Sequence, residues 1–325
     1  MSVDFPDPDT IRAALTLANR APSVHNSQPW HWRIGDRSLH LYADQTRHLP
    51  KTDPDRRDMM LSCGAALHHC TVALAAMGWH ARVHRLPDPA EPDLLASIEL
   101  SAQAPDELDI MLAAAISRRR TDRRNYSSWP VPWGDIALMG ARAARAGVML
   151  RQVDLIPRLN AIVAESVSQH GQDGDYLAEL NAWSGRHGSV AGVPACNTPD
   201  PDPSSPIPAR IFAGSALSRP AQTPSGEDNA VVIVLGTEGD DELARLRAGE
   251  ATSLVLLSAT AMGLATCPVT EPLEIPRTRE AVRADVFGAS GHPQMLIRVG
   301  WAAADAEQLP TTPRRPLPEV ASQVR

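Results

Sequence analysis

Lysine is almost missing from this chain: of 31 basic side chains only Lys51 is a lysine, and the rest are arginine. That excludes a P-loop, which needs Gly-Lys-Ser/Thr, and leaves a single side chain for a Schiff base. Cysteine is sparse too. Cys63, Cys70, Cys196 and Cys267 form no CxxC, and the first two lie i and i+7 on one helical pattern, about 10 Å apart and beyond disulfide reach. The opening residues lack an apolar signal core. The longest mostly apolar run, Leu254 to Ala265, falls short of the ~20 residues of a membrane span. There is no GxSxG elbow, no GxGxxG after a strand, no HExxH and no EF-hand loop. A formal charge of −7 argues against nucleic acid as the main partner. The expectation is a soluble, cytoplasmic protein with neither membrane nor nucleic acid as partner.

What is present is ample for a core: 43% of the 325 residues are hydrophobic and 21% charged. The length admits two domains, or one built from two similar halves. Periodicity predicts helices over 10–20, 55–77, 106–117, 133–146, 156–170 and 242–262, and strands over 30–34, 38–43, 81–86, 94–100, 148–153, 230–235 and 294–299. The long helices 55–77 and 242–262 share a pattern. A shift of 185 positions lays Gly64 on Gly249, Ala66 on Ala251 and Ala76-Met-Gly78 on Ala261-Met-Gly263. That suggests an internal duplication, with two apolar helices packed at its centre. Between them, residues 194–224 hold eight prolines. They read either as a linker or, lying inside the second half, as a covering loop.

Three stretches are able to carry chemistry. Ala21-Pro-Ser-Val-His-Asn-Ser-Gln-Pro-Trp30 puts Ser23, Asn26 and Gln28 on a proline-bounded loop, as readers of a heterocycle edge or as a self-bonded turn. Arg118-Arg-Arg-Thr-Asp-Arg-Arg124 packs five arginines into seven positions, suited to a phosphate or to a solvated basic face. Pro313-Arg-Arg-Pro316 is a second basic element, either closing on the same anion or part of a disordered tail. Thr266-Cys-Pro-Val-Thr-Glu-Pro272 is held extended by two prolines, with backbone N–H groups open to an electron-rich cofactor atom or simply joining helix to strand. Cys63, His68, His69 and Cys70 are metal ligands by type only, since their helical spacing points them apart.

Together these stretches resemble the nitroreductase family of FMN-dependent oxidoreductases. Pro22-Ser-Val-His-Asn-Ser-Gln-Pro-Trp30 is similar to the family's flavin-contacting Pro-Ser-Ser-x-Asn-x-Gln-Pro-Trp, and Arg119-Arg-Thr-Asp-Arg123 to its phosphate-holding Arg-Arg-Ser-x-Arg. Each part occurs once, in different halves, which resembles the Acg-like branch, where two units are fused in one chain. The resemblance implies an α+β nitroreductase-like fold with halves 1–105 and 106–325, long central helices, and a proline-rich lid at about 192–229. It implies one FMN per chain, held by Ser23, Asn26, Gln28, Arg119, Arg120, Thr121, Arg123, Pro268, Val269, Thr270, Arg314 and Arg315, with no catalytic side chain and no metal. The partners implied are NAD(P)H and a two-electron acceptor such as a nitroaromatic or quinone, in a pseudo-dimeric monomer or a homodimer. The alternative implied is an FMN-sequestering protein whose lid bars turnover. A non-flavin scaffold binding another phosphate compound, or an acidic protein, is the remaining reading.

Overall fold

The computed structural model describes residues 5–186, 188–202, 205–218 and 228–324. Asp7 caps the first helix, accepting from the N–H groups of Asp9 and Thr10, so α1 (Pro8–Ala18) begins two residues before the apolar periodicity does. Strands β1 (Trp30–Ile34) and β2 (Ser38–Ala43) follow, then α2 (Arg57–Ala76), β3 (Trp79–Arg85), β4 (Leu94–Ala102) and α3 (Glu107–Arg118). The chain continues with α4 (Trp133–Arg145), β5 (Met149–Gln152), α5 (Ile156–His170), α6 (Gly174–Ala182), β6 (Ser184–Arg186) and β7 (Val193–Pro194). It continues with β8 (Val231–Thr237), α7 (Glu242–Ala261), β9 (Ala265–Val269), α8 (Glu271–Glu274), α9 (Pro276–Val286) and β10 (His292–Gly300), and ends with α10 (Leu317–Val320) and β11 (Ala321–Gln323).

Helices α2 and α7 make the most extensive helix–helix contact of the chain. They cross where Gly64 meets Gly249. A Cβ on Gly64 would lie 2.1 Å from the Leu246 carbonyl oxygen, and one on Gly249 would lie 2.2 Å from that of Leu61. Only hydrogen at both positions lets the backbones come this close. Helix α2 is long and apolar enough to cross a membrane by composition. Its apolarity is used here against α7 and the first sheet.

Each side of the crossing carries a sheet. The first has the order β11-β1-β2-β4-β3 and the second β5-β8-β10-β9. The division at residue 105 is crossed by the end of the chain: β11 pairs parallel with β1, Trp32 beside Ala321. The Pro/Arg-rich tail, for which a disordered segment was one expectation, is therefore bound, since an open edge of the first sheet offers it a ladder. Helices α6 and α9 are not foreseen by periodicity. Both are short, and α9 is polar on most of its surface.

Candidate functional site

A cleft lies beside the α2–α7 crossing and spans about 1490 Å³, open solvent at its mouth included. Its walls come from both halves: the loop after α1, the start of α2, the arginine-rich segment after α3, β9 with the start of α8, the proline-rich insertion and the tail.

The loop after α1 is held by local bonds that force unusual backbone. Val24 N–H donates to Ser62 Oγ at 3.1 Å and Gln28 N–H to Ser23 Oγ at 3.0 Å. His25, Asn26 and Gln28 take φ of 44°, 53° and 53°, a strained region for residues other than glycine. The bend aims Ser23, His25 and Asn26 into the cleft. Asn26 Nδ2 donates to the carbonyls of Gly192 and Pro313 at 3.1 and 3.2 Å. Its Oδ1 is buried without a partner, as is His25 Nδ1.

The arginine-rich segment is sorted by a single carboxylate. Asp122 takes Arg124 in a two-point pair, Nε to Oδ1 at 2.9 Å and Nη2 to Oδ2 at 2.7 Å. Its N–H donates to the Thr266 carbonyl, which straps the segment to β9. Arg119, Arg120 and Arg123 are left to the cleft, where Arg20 and Arg314 join Arg119 and Arg120. No carboxylate pairs with Arg20, Arg119, Arg120 or Arg314 among the described residues, and the Nε of all four is buried without a partner, as is Arg119 Nη1. Burial, with Arg120 and Arg20 close by, lowers Arg119 to about 10. Burial and the other three guanidinium groups lower Arg314 to about 9. Four like charges with orphaned N–H groups are chemically suited to an anion, since forks of this kind match phosphate oxygens. Thr121, bridged to Thr266, adds a hydroxyl to the lining.

The lining also has apolar side chains, Leu61, Ala65, Val269 and Met295, and the Pro268–Thr270 segment. Arg123 Nη1 donates to the Asn197 carbonyl at 3.1 Å and its guanidinium lies 4.9 Å from the Phe212 ring centre. The insertion thus reaches over this part of the cleft, and Arg210 ties it down. Arg210 Nη1 donates to His25 Nε2 (2.7 Å) and the Tyr176 hydroxyl (2.8 Å), and Nη2 to Thr270 Oγ1 (3.2 Å) and Glu274 Oε1 (2.5 Å).

Ser23, Asn26, Arg119, Arg120, Thr121, Arg123, Pro268, Val269, Thr270 and Arg314 therefore share one cleft. Gln28 and Arg315 do not line it. Gln28 is fully buried, its Nε2 donating to the carbonyls of Asn26 and Val190 and its Oε1 accepting from Arg315 N–H, so it braces the loop. Arg315 turns away to Asp44 and Glu319. The insertion expected at 192–229 is described except for 203–204 and 219–227, which lie outside the described residues. Sequence reasoning missed Arg20, His25, Asp58 and Arg210. Arg20 and His25 border or interrupt a recognised motif, whereas nothing local marks Arg210. The Cys63–Cys70 group is structural: Cys63 Sγ–H faces the Pro29 carbonyl, and His68 and His69 share Ser253 Oγ at 2.7 and 2.8 Å.

A sequence model of the Nitroreductase family matches residues 116–301. The Mycobacterium tuberculosis protein named "Putative NAD(P)H nitroreductase Rv3131" is 62% identical over 98% of this chain and 93% of its own length. A second protein of that organism, "Putative NAD(P)H nitroreductase acg", is 38% identical over 96% of this chain and 95% of its own. The solved FMN-dependent nitroreductase NfnB of Mycobacterium smegmatis, in complex with NADPH, aligns over 66% of this chain and 100% of its own, with 20% identity and a TM-score of 0.40. The chain belongs to the nitroreductase family.

Proposed function

We propose that this chain binds one FMN in the cleft and passes two electrons from NAD(P)H to an acceptor such as a nitroaromatic or quinone. The observation that carries the reading is the set of four guanidinium groups with unpartnered N–H at one end of a cleft built from both halves. A phosphomonoester is the ligand that quenches their mutual repulsion. The NAD(P)H in the name of its 62%-identical relative supports a nicotinamide as reductant. The reading includes an internal duplication in which each half keeps one part of a two-part site.

FMN supplies the redox chemistry when bound, and the protein supplies position and electrostatics. Arg119, Arg314, Arg20 and Arg120 hold the phosphate, with Thr121 as a hydroxyl donor. Asn26 Oδ1 and Ser23 Oγ meet polar atoms further along the ligand. Arg123 places a half-buried cation near the ring, where negative charge gathers on reduction. Purified protein is expected to be yellow, with about one FMN per chain. Colourless protein that takes up no added FMN refutes the reading.

A second reading, FMN sequestration with little turnover, is favoured by Arg210, which ties the insertion as a lid to three separate segments at once. Anaerobic NADPH separates the two: rapid bleaching supports the reductase, and persistent colour supports storage.

A further inference from the structure

The cleft contains an acid that the electron-transfer reading does not employ. Asp58 stands in the first turn of α2, is 2% exposed, and lines the cleft along with Thr270 and Glu271. Neither of its carboxyl oxygens has a hydrogen-bond partner among the described residues. Arg57 Nη2 lies 2.5 Å from Oδ1 without the alignment of a hydrogen bond. The same guanidinium spends Nη1 on the Gln294 carbonyl. A buried carboxylate with no aligned donor is costly, whereas a neutral carboxyl needs only one acceptor for its O–H, and the cleft is where a ligand provides one.

The charged groups around Asp58 come from four segments. Arg57 is on its own helix. Asp53 and Asp55 precede it, Glu274 faces it from α8, and Arg210 faces it from the insertion while already engaged with Glu274 and His25. Burial raises Asp58 to about 6; Arg57 and Arg210 oppose that rise, and Glu274 and Asp55 add to it. Burial and the neighbouring Asp58 charge raise Asp53 well above the ordinary carboxylate range, only partly offset by the N–H groups of Asp58 and Met59 that it accepts at 2.9 and 2.8 Å.

We propose that Asp58 is the acid of the cleft: a neutral carboxyl in the filled site, its O–H donated to a carbonyl oxygen or ring nitrogen of the bound heteroaromatic, so that binding takes up a proton. The proposal rests on the flavin reading and extends it, by giving the site a titratable donor beside the ring.

The test is proton uptake on mixing FMN with flavin-free protein in weak buffer. From a value of about 6, about 0.9 of Asp58 is ionised at pH 7 and about 0.1 at pH 5. Wild type is thus expected to take up about 0.9 more proton per FMN than Asp58→Asn at pH 7, and about 0.1 more at pH 5. The FMN phosphate, whose second pKa is about 6, can only release protons to an arginine site. Net uptake by wild type at pH 7 is therefore a signal in its own right, and its absence overturns the proposal even where Asp58→Asn fails to fold. Equal uptake by wild type and by both Asp58→Asn and Asp58→Ser also overturns it. Failure of every form to bind FMN strikes the flavin reading instead.

Discussion

Replacing Arg119 by methionine should make the flavin-free protein more stable and its hold on FMN weaker. Arg119 is 6% exposed and faces other guanidinium groups without a counter-charge. Its fall from the ordinary arginine value to about 10 corresponds to roughly 3 kcal/mol of destabilisation of the charged side chain in the folded state. The folded value lies below the unfolded one, yet both lie far above pH 7, so the whole penalty is present at neutral pH. Methionine keeps most of the stem packing and removes the charge. A gain of about 1–3 kcal/mol is expected for the flavin-free protein, or roughly 1–5 °C in Tm for a chain of this size. The cost appears with ligand. Two unpartnered N–H groups, each worth about 1.5–3 kcal/mol to a charged acceptor, predict FMN binding weaker by roughly 10²–10⁴-fold. Thermal unfolding with and without FMN reads both effects, since ligand stabilisation follows Kd. A flavin-free variant that melts below wild type while keeping the wild-type Kd would refute the reasoning.

Arg210→Met leaves Glu274 buried without its main cation, a loss of about 3–5 kcal/mol to the closed insertion. Limited proteolysis should then cut within 188–218 at protein concentrations where wild type resists, and NADPH bleaching should quicken; unchanged patterns in both would dismiss the tie. Gly249→Ala drives a methyl group against the Leu61 backbone at 2.2 Å, where nothing flexible can yield, so a fall in Tm of several degrees or insoluble expression is expected. A wild-type Tm would show the helices free to separate. His68 is lowered by burial to about 4. The unfolded chain binds this proton from about pH 6.5 downward and the folded one does not, so stability should decline as pH falls from 6.5 to 4. The decline should lessen in His68→Gln; identical pH profiles would count against it.

Much of the site is contiguous in the chain, which made it legible. Arg119–Arg123 and Ser23–Gln28 are short runs whose residue types fit phosphate and heterocycle chemistry, and the family resemblance joined them. Which member of a run faces the ligand was not legible. Arg314 and Arg315 are neighbours of the same type, yet an extended backbone sends one to the anion site and the other to Asp44 and Glu319. Gln28 shares its loop with Asn26, but a further left-handed residue turns it inward to brace the loop. Proline content marked the insertion. That a single arginine there engages His25, Tyr176, Thr270 and Glu274 follows from contacts 34 to 185 residues distant in the chain, which no local pattern encodes.

The near-complete use of arginine, the two half-motifs and the small-residue faces of the central helices are properties of composition and spacing, and it is the family resemblance of the half-motifs that pointed from them to FMN. The convergence of Arg20, Arg119, Arg120 and Arg314, the exclusion of any carboxylate from among them, and the isolation of Asp58 in the cleft belong to the folded state. Like charges approach, and a carboxyl loses its water, only when burial of apolar surface elsewhere, here along the α2–α7 crossing, outweighs the electrostatic cost.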